Sequence, residues 1–310
     1  MRSAKRRAYN GPVPHSAPPL NADLHCHSTF SDGTLSPEEL AARAKARGVQ
    51  LWALTDHDEV SGLARAAQAA ALQQLPFLTG VEISVTFIDT TVHILGLGFD
   101  ADNAALRTGL AATRGGREAR AREMAAGLAK VGINNAYEGA LRYVGNPDLI
   151  SRTHFARFLV ETKVCRDTND VFRNYLVENK PGFVPHRWAR LHDAVRWIVD
   201  AGGMAVIAHP ARYHFSATEE FALFSEFKQH GGQGVEVVTG SHLPHEYTSY
   251  AELAAEFGLF ASRGSDFHSP TESGTDFGAL PPLPKDVMPV WQALADRIIY
   301  PQDMLLSPGN

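Results

Sequence analysis

Short apolar segments recur along the chain, and most of them are separated by longer segments with helical periodicity. Continuous apolar runs of this length are typical of strands that are buried on both faces, as in parallel sheets. The predicted strands are 22–28, 49–54, 76–85, 91–98, 203–208, 234–238 and 259–263. The link at residues 88–90 is too short for a helical crossover, so it predicts an antiparallel hairpin. The alternation as a whole predicts an α/β fold whose seven strands form a closed or nearly closed barrel.

Helical patterns replace strands between residues 100 and 185, at 106–132, 151–161 and 170–179. We therefore expect an inserted helical subdomain within the barrel. Its basic cluster, which includes Arg117 and Arg120, is typical of a solvated helix face. The predicted organisation is a disordered basic and proline-rich tail (1–20), a barrel (22–99 plus 186–285), the inserted subdomain (100–185) and a C-terminal wrap (286–310).

The composition is that of an ordinary globular protein, with 310 residues, 44% hydrophobic and 20% charged. The formal net charge of -5 provides no broad basic field for duplex DNA. No apolar run approaches the length of a membrane span, and the N-terminal segment lacks the apolar core of a secretion signal. Two cysteines beside 14 histidines argue against a disulfide framework. We expect a cytoplasmic protein that has no membrane partner.

Histidines and carboxylates collect where the predicted strands end. In His25-Cys26-His27 the two histidines share one face of a strand, because side chains alternate. The carboxyl ends of parallel barrel strands converge on one mouth, so all of these groups should meet in one pocket. The residues concerned are His25, His27, Asp32, His57, Glu82, His93, His209, Asp266 and His268.

Buried ionisable groups need partners, and metal ions are the partners that would satisfy so many at once. Nine ligands suit two or three ions if one carboxylate bridges them. Imidazole and carboxylate donors favour Mn, Zn or Fe over Ca or Mg. Such ions supply hydroxide near neutral pH and neutralise phosphoryl oxygens. The predicted reaction is therefore hydrolysis, most naturally of a phosphate ester.

The motifs DLHCHS, SDG, TDHD, GVEIS, AHP and GSDFH, in this order, resemble those of the PHP (polymerase and histidinol phosphatase) family of the amidohydrolase superfamily. The resemblance implies a distorted (β/α)7 barrel with three divalent metal ions. It assigns His25, His27, Glu82 and Asp266 to the first ion, Glu82, His93 and His209 to the second, and Asp32, His57 and His268 to the third. Among them it implies catalytic roles for Asp266, Glu82 and His209.

The inserted segment resembles one group of this family, the 3′,5′-nucleoside bisphosphate phosphatases, some of which are also 5′→3′ exoribonucleases. The implied substrates are nucleoside 3′,5′-bisphosphates or short 5′-phosphorylated RNA, and phosphate is a product. Arg152, His154, Lys180 and Arg187 are the predicted substrate-binding residues, because they supply donors for a 5′-phosphate. A coordinated water, His154 and Asp58 are alternative proton donors to the leaving group.

Two other functions stay open at this point. A histidinol-phosphate-type or broad phosphomonoesterase would need no binding element for a second phosphate. A non-catalytic metal-binding module is disfavoured because no ligand position is missing from the motifs.

Overall fold

The computed structural model describes residues 20–305, and eight strands within this range form one sheet. The predicted N-terminal tail, apart from Leu20, and residues 306–310 of the predicted C-terminal wrap lie outside the described residues. The strands are β1 (Ala22–Asp23), β2 (Leu51–Leu54), β3 (Phe77–Phe87), β4 (Thr90–Leu97), β5 (Ala189–Arg190), β6 (Met204–Ile207), β7 (Gly234–Thr239) and β8 (Phe260–Gly264). All but β5 correspond to predicted strands.

Seven of the strands follow one another around a nearly closed barrel in the order β1-β2-β3-β4-β6-β7-β8. Only β4 runs antiparallel to its neighbours, and the other pairs in this ring are parallel. Between β8 and β1 the Leu24 N–H donates to the Arg263 carbonyl at 3.0 Å, and the His27 N–H donates to the Phe267 carbonyl at 2.9 Å. The predicted α/β barrel of seven main strands is confirmed.

The predicted β3–β4 hairpin is also confirmed, and β3 runs two residues further than the predicted end at residue 85. Its turn residues Ile88 and Asp89 have φ angles of 45° and 58°. Positive φ at both central positions is the signature of a type I′ turn, whose twist matches that of the flanking strands. The hairpin thus continues beyond Glu82 and forms a wall beside the barrel mouth.

The barrel interior separates an apolar end from a polar mouth. On β3, Leu78 and Glu82 share a strand face, and on β4, Leu95 and His93 do the same, since residues two or four apart point to one side. Leu78 and Leu95 belong to a fully buried apolar cluster with residues of β1, β2 and β6. The histidines and carboxylates therefore lie above a packed apolar floor.

Helices cover the outside of the barrel and fill the segment between β4 and β5. They are α1 (Pro37–Ala46), α2 (Leu63–Leu72), α3 (Ala104–Arg114), α4 (Arg117–Ala129), α5 (Ala136–Leu141), α6 (Arg152–Glu161), α7 (Thr168–Val171), α8 (Leu191–Asp200), α9 (Ala217–Gln229), α10 (Pro244–Phe257), α11 (Val290–Ala293) and α12 (Pro301–Leu305). A turn of π-helix, Phe172–Leu176, continues α7. No helix within residues 20–305 is both long enough and apolar enough to cross a membrane.

The helical segment after β4 has two packing environments. Leu106 and Leu110 of α3 belong to the main barrel core, and Gly109 packs directly against Trp197. A separate apolar cluster contains Met124 and Phe155, with other residues of α4–α7. The predicted helical stretch at 106–132 consists of two helices, and the consecutive glycines at 115 and 116 favour the break between them.

Candidate active site

Glu82 is the centre of the cluster of histidines and carboxylates at the barrel mouth. Its Oε1 lies 2.9 Å from His93 Nδ1 and 3.0 Å from His209 Nε2. Its Oε2 lies 2.9 Å from His57 Nδ1 and 3.3 Å from His27 Nε2. One fully buried carboxylate therefore contacts groups from four parts of the chain, as a bridging ligand would.

The segment after β1 brings two histidines to Asp266. His25 Nε2 and His27 Nε2 are 3.2 Å apart, and they lie 3.4 Å and 3.2 Å from Asp266 Oδ1. The regular strand ends at Asp23, so the predicted strand through residue 28 is shorter than expected. The extended chain beyond Asp23 still pairs with the continuation of β8, and the thiol of Cys26 points away into the core, donating to the Ala53 carbonyl at 3.3 Å.

A third group forms around Asp32, which follows β1 in a tight turn. Asp32 Oδ1 lies 3.3 Å from His268 Nε2 and 3.8 Å from His57 Nε2. Gly33 is required in this turn, because a Cβ atom there would lie 2.0 Å from the His27 carbonyl oxygen. The structure thus brings together all nine residues predicted as metal ligands, in overlapping groups whose ligand atoms lie within 4.8 Å of one another.

The donor set fits divalent metal ions. In the part of the chain that the structure describes, buried atoms of five of these residues make no hydrogen bond, namely Asp32 Oδ1, His57 Nδ1, Glu82 Oε2, His93 Nδ1 and His209 Nδ1. Buried polar atoms normally have a partner, so several such atoms in one cluster of potential ligands indicate cations that satisfy them. Imidazole and carboxylate are suitable ligands for Mn, Zn or Fe.

The electrostatics of the cluster favour a bound cation. Burial opposes ionisation of Glu82, but the charges of His93 and His57 outweigh it and hold the pKa of Glu82 well below its usual range. Burial also disfavours protonation of His27, yet contacts with Asp266 and Glu82 raise the pKa of His27 to about 10. The carboxylates therefore attract positive charge, which metal ions would supply.

A further carboxylate, which the sequence analysis did not identify, supports this cluster from behind. Glu236 of β7 is fully buried, and its Oε1 lies 3.1 Å from His25 Nδ1. Its Oε2 also accepts a hydrogen bond from the His209 backbone N–H at 2.8 Å. Contacts of this kind fix the ring orientation of a metal-binding histidine. A glutamate within an otherwise apolar buried strand was the sequence signal that could have revealed it.

A pocket of ≈ 650 Å³ opens above the cluster, and arginines line its other side. Arg152 begins α6, and Arg120 lies on α4 with its Nε donating to the Val184 carbonyl at 3.1 Å. Burial and the neighbouring charges of Arg152 and Arg117 lower the pKa of Arg120 to about 9. No carboxylate among the described residues pairs with Arg120 or Arg152, so these partly buried guanidinium groups are available to an anion.

Arg117 connects the arginines of the pocket to the loop that carries His57, a predicted metal ligand. Its guanidinium donates to Asp58, next to the predicted ligand His57, and lies 4.5 Å from the centre of the Trp188 ring. Arg117 is almost fully buried and also lines the pocket. The expectation that Arg117 and Arg120 lie on a solvated helix face is wrong, because both side chains turn inward against Trp188.

Arg212 is the arginine nearest the predicted ligands. It follows the predicted ligand His209 by three residues, and its Nη1 donates to Asp266 Oδ2 at 2.7 Å. Its side chain also lines the pocket. The sequence analysis missed this residue, although its position just after the AHP motif was a usable signal.

Of the predicted substrate-binding residues, only Arg152 lines this pocket. Lys180 is exposed and does not line it. Arg187 lies on an outer recess, where its Nη2 is 3.8 Å from Asp89. His154 is fully buried, and its Nδ1 accepts a hydrogen bond from the Ser151 N–H at 3.0 Å as part of the α6 cap.

Neither His154 nor Asp58 is placed to protonate a leaving group. Burial lowers the pKa of His154 to about 4, so the imidazole is neutral near pH 7, and it does not line the pocket. Asp58 is fully buried and accepts hydrogen bonds from Arg117 and from the Ser84 backbone N–H at 2.8 Å. Both proposed alternatives are therefore structural groups.

Three site residues have unusual backbone geometry. Asp58, His209 and Asp266 have φ angles of 50°, 25° and 55°, in a region that residues other than glycine seldom adopt. Such conformations persist where the surrounding structure enforces them, and they cluster at functional sites. The sharp turns at the ends of β6 and β8 aim His209 and Asp266 into the mouth.

Histidines and carboxylates gathered at the mouth of an α/β barrel are the arrangement of a metal-dependent hydrolase. Comparison with known proteins agrees. The family model described as PHP domain matches residues 23–164. A 3′,5′-nucleoside bisphosphate phosphatase from Chromobacterium violaceum is 52% identical over 283 residues, covering 91% of this chain and 99% of the relative. A 5′-3′ exoribonuclease from Haemophilus influenzae is 40% identical over 270 residues, covering 87% of this chain and 97% of the relative.

A solved structure has the same fold. An amidohydrolase from Chromobacterium violaceum, crystallised with bound sulfate and no metal, superposes with a TM-score of 0.89 at 51% identity and covers 92% of this chain and 99% of that one. The chain belongs to the PHP family and is a metal-dependent phosphoesterase.

Proposed function

We propose that the protein hydrolyses the 3′-phosphate of nucleoside 3′,5′-bisphosphates, giving a 5′-nucleotide and phosphate, with short 5′-phosphorylated RNA as a second substrate. The main support is that one pocket is lined by the histidine–carboxylate cluster and also by Arg120 and Arg152, which have no carboxylate partner among the described residues. Two anion-binding ends suit a substrate with two phosphates. The names of the relatives support the same substrates.

We propose that the site holds three divalent metal ions, with Mn²⁺ as the first choice and Zn or Fe as alternatives. These ions would supply a nucleophile and neutralise phosphoryl charge. We propose His25, His27, Glu82 and Asp266 as ligands of one ion, and Glu82, His93 and His209 as ligands of a second. Asp32, His57 and His268 would hold a third. The nine residues lie in overlapping groups of ligand atoms at the barrel mouth, which supports their joint role as ligands.

The protein's own residues have four tasks in this proposal. Arg120 and Arg152 bind the 5′-phosphate through charge-assisted hydrogen bonds, which are the strong ones. Arg212, beside Asp266, faces the phosphate that reacts and stabilises its growing charge. Asp266 and Glu82 fix the reacting end, and Asp266 is placed to orient the attacking water. Phe172 and Trp188, which also line the pocket, offer apolar surfaces to the ribose and base.

The RNA activity follows from the same geometry. A pocket that reads a 5′-terminal nucleotide makes few contacts with the remaining backbone, so the net charge of -5 is no obstacle to short RNA. The products, 5′-mononucleotide and a shortened RNA, would leave the pocket ready for the next 5′ end. A cytoplasmic location, where both substrates occur, belongs to this proposal.

The test measures phosphate release from adenosine 3′,5′-bisphosphate and adenosine 3′-monophosphate, and nucleotide release from a short 5′-phosphorylated RNA, in the presence of Mn²⁺. We expect fast release from the bisphosphate, little from the monophosphate, and stepwise release of mononucleotides from the RNA. Equal kcat/KM values for bisphosphate and monophosphate would contradict the 5′-phosphate site and indicate a broad phosphomonoesterase. No turnover of any of the three would contradict the proposed function.

Arg152→Gln tests the binding site directly. A hydrogen bond to a charged group contributes ~1.5–3 kcal/mol, so kcat/KM for the bisphosphate should fall roughly 10- to 150-fold. The value for the monophosphate should change much less, because that substrate lacks the 5′-phosphate. Arg166→Gln, at an 81% exposed arginine of the same inserted segment, is the matched control and should leave both values unchanged. A parallel loss on both substrates would remove Arg152 from the 5′-phosphate site.

A further inference from the structure

A second recess of ≈ 1210 Å³ adjoins the candidate active site. The two share Thr91, Arg120, Arg152 and Trp188. None of the nine clustered histidines and carboxylates lines this outer recess. It therefore adjoins the arginine end of the active-site pocket and lies away from the predicted metal site.

We propose that the outer recess accepts substrates that extend beyond the 5′-phosphate, namely nucleoside 3′-phosphates carrying a 5′-diphosphate. This inference rests on the proposed function, which places the 5′-phosphate on Arg120 and Arg152. A group joined to that phosphate continues into the recess, because the recess begins at the same two guanidinium groups.

The recess offers a third cation to an outer phosphate. Arg187 lines the recess, its side chain is 88% exposed, and its Nη2 lies 3.8 Å from the carboxylate of Asp89, which is 90% exposed. An ion pair that is so exposed contributes little free energy to stability. A phosphate can therefore replace the Asp89 carboxylate beside Arg187 at a small cost in free energy. The guanidinium fork also matches a phosphate geometrically. Arg187 is thus positioned to contact the outer of two 5′-phosphates, and it does not line the inner pocket.

Acidic groups that line the same recess limit the affinity gained from the second 5′-phosphate. Asp89 and Glu178 both line the recess and repel an added phosphate. We therefore expect the 5′-diphosphate to be tolerated rather than strongly preferred over the 5′-monophosphate. The bond changes at the other end stay the same: a water oxygen bonds to the 3′-phosphorus, the bond to the ribose 3′-oxygen breaks, and this oxygen takes a proton. The 5′-diphosphate remains intact in the product.

The experiment compares 3′-phosphoadenosine 5′-diphosphate with adenosine 3′,5′-bisphosphate, using the full chain and Mn²⁺. Chromatography should show adenosine 5′-diphosphate and phosphate as products, with kcat/KM within about tenfold of that for the bisphosphate. Arg187→Gln should lower the ratio of the two kcat/KM values, diphosphate over bisphosphate, by about tenfold. Arg173→Gln, at an exposed arginine of the inserted segment, should leave that ratio unchanged.

The possible failures are distinguishable. Turnover of the bisphosphate with none of the diphosphate would overturn this inference and leave the proposed function intact. If Arg187→Gln does not alter the ratio of kcat/KM for the diphosphate to kcat/KM for the bisphosphate, the outer phosphate does not contact Arg187 and the inference about that residue fails. If neither compound is hydrolysed while the protein remains folded, the proposed function and the inference that rests on it both fail.

Discussion

Asp58→Asn would test whether Asp58, next to the predicted metal ligand His57, holds Arg117 in the pocket. The Asp58 carboxylate is fully buried and accepts hydrogen bonds from Arg117, from the Ser84 N–H at 2.8 Å and from the Ser84 hydroxyl at 3.0 Å. Asparagine tolerates the φ of 50° at this position, so the substitution mainly removes the charge. Arg117 then stays buried without a carboxylate partner.

The expected loss of stability is large for a change of so few atoms. Removing one member of a buried ion pair costs ~3–5 kcal/mol. The asparagine oxygen still accepts some of the hydrogen bonds, so the free energy of unfolding should fall by about 3 kcal/mol. Because the remaining buried Arg117 then lacks the carboxylate that orients it against Trp188, kcat/KM for the bisphosphate should also fall at least tenfold.

Urea unfolding followed by tryptophan fluorescence measures the first effect, and phosphate release measures the second. The m-value should not change, because the surface exposed on unfolding is the same. Asp102→Asn is the matched control, since Asp102 pairs with Arg107 on the open surface, and its urea midpoint should equal that of the wild type. A loss below about 1 kcal/mol for Asp58→Asn, with the same m-value, would refute the reasoning.

Three further predictions concern the cluster and its surroundings. Dialysis against a chelator should abolish phosphate release and lower Tm, and added Mn²⁺ should restore both, because bound metal stabilises only the folded state; full activity in chelator would contradict the metal role. Glu236→Gln should weaken metal affinity roughly 10- to 100-fold in an activity titration with Mn²⁺, since Glu236 orients His25. For His154, the folded pKa of about 4 lies below the unfolded value of about 6.5, so acid favours the unfolded state. Between pH 7 and pH 4 the wild type should lose about 3 kcal/mol more than His154→Asn, measured by urea unfolding, and parallel losses would exclude this origin.

The sequence was sufficient for the features that depend on periodicity. Apolar runs located the seven main strands, and the short link at Ile88 and Asp89 predicted the hairpin. The polar residues at the strand ends could be grouped because parallel strands present their carboxyl ends to one mouth. The structure brings these nine residues together, and their role as metal ligands stays a prediction.

The basic side of the pocket could not be predicted in the same way. An arginine that follows another by three residues on a helix looks the same whether that face meets water or the protein. Arg117 and Arg120 turn inward because Trp188, far along the chain, packs against them. Lys180 and Arg187 carry equally suitable charges but lie on the surface, since their segment passes outside the pocket.

Irregular backbone accounts for the remaining differences. The two residues of β5 are too few to produce a sequence pattern, and the strand exists because Val85 and Thr86 at the end of β3 offer it a partner. The segment after Asp23 was predicted as continuous strand. It pairs with the chain beyond β8 only through scattered hydrogen bonds, because Asp266 has a φ of 55° and interrupts regular pairing.

The separate apolar cluster of α4–α7 has a consequence for how this enzyme could diversify. The residues proposed to bind the metals lie on the barrel, whereas Arg117, Arg120 and Arg152 lie on helices that pack largely among themselves. Substitutions in those helices could alter substrate choice while the barrel and its hydrolytic chemistry persist. Exchanging this segment between relatives is therefore a route to new phosphoesterase specificities that does not require the reaction itself to be rebuilt.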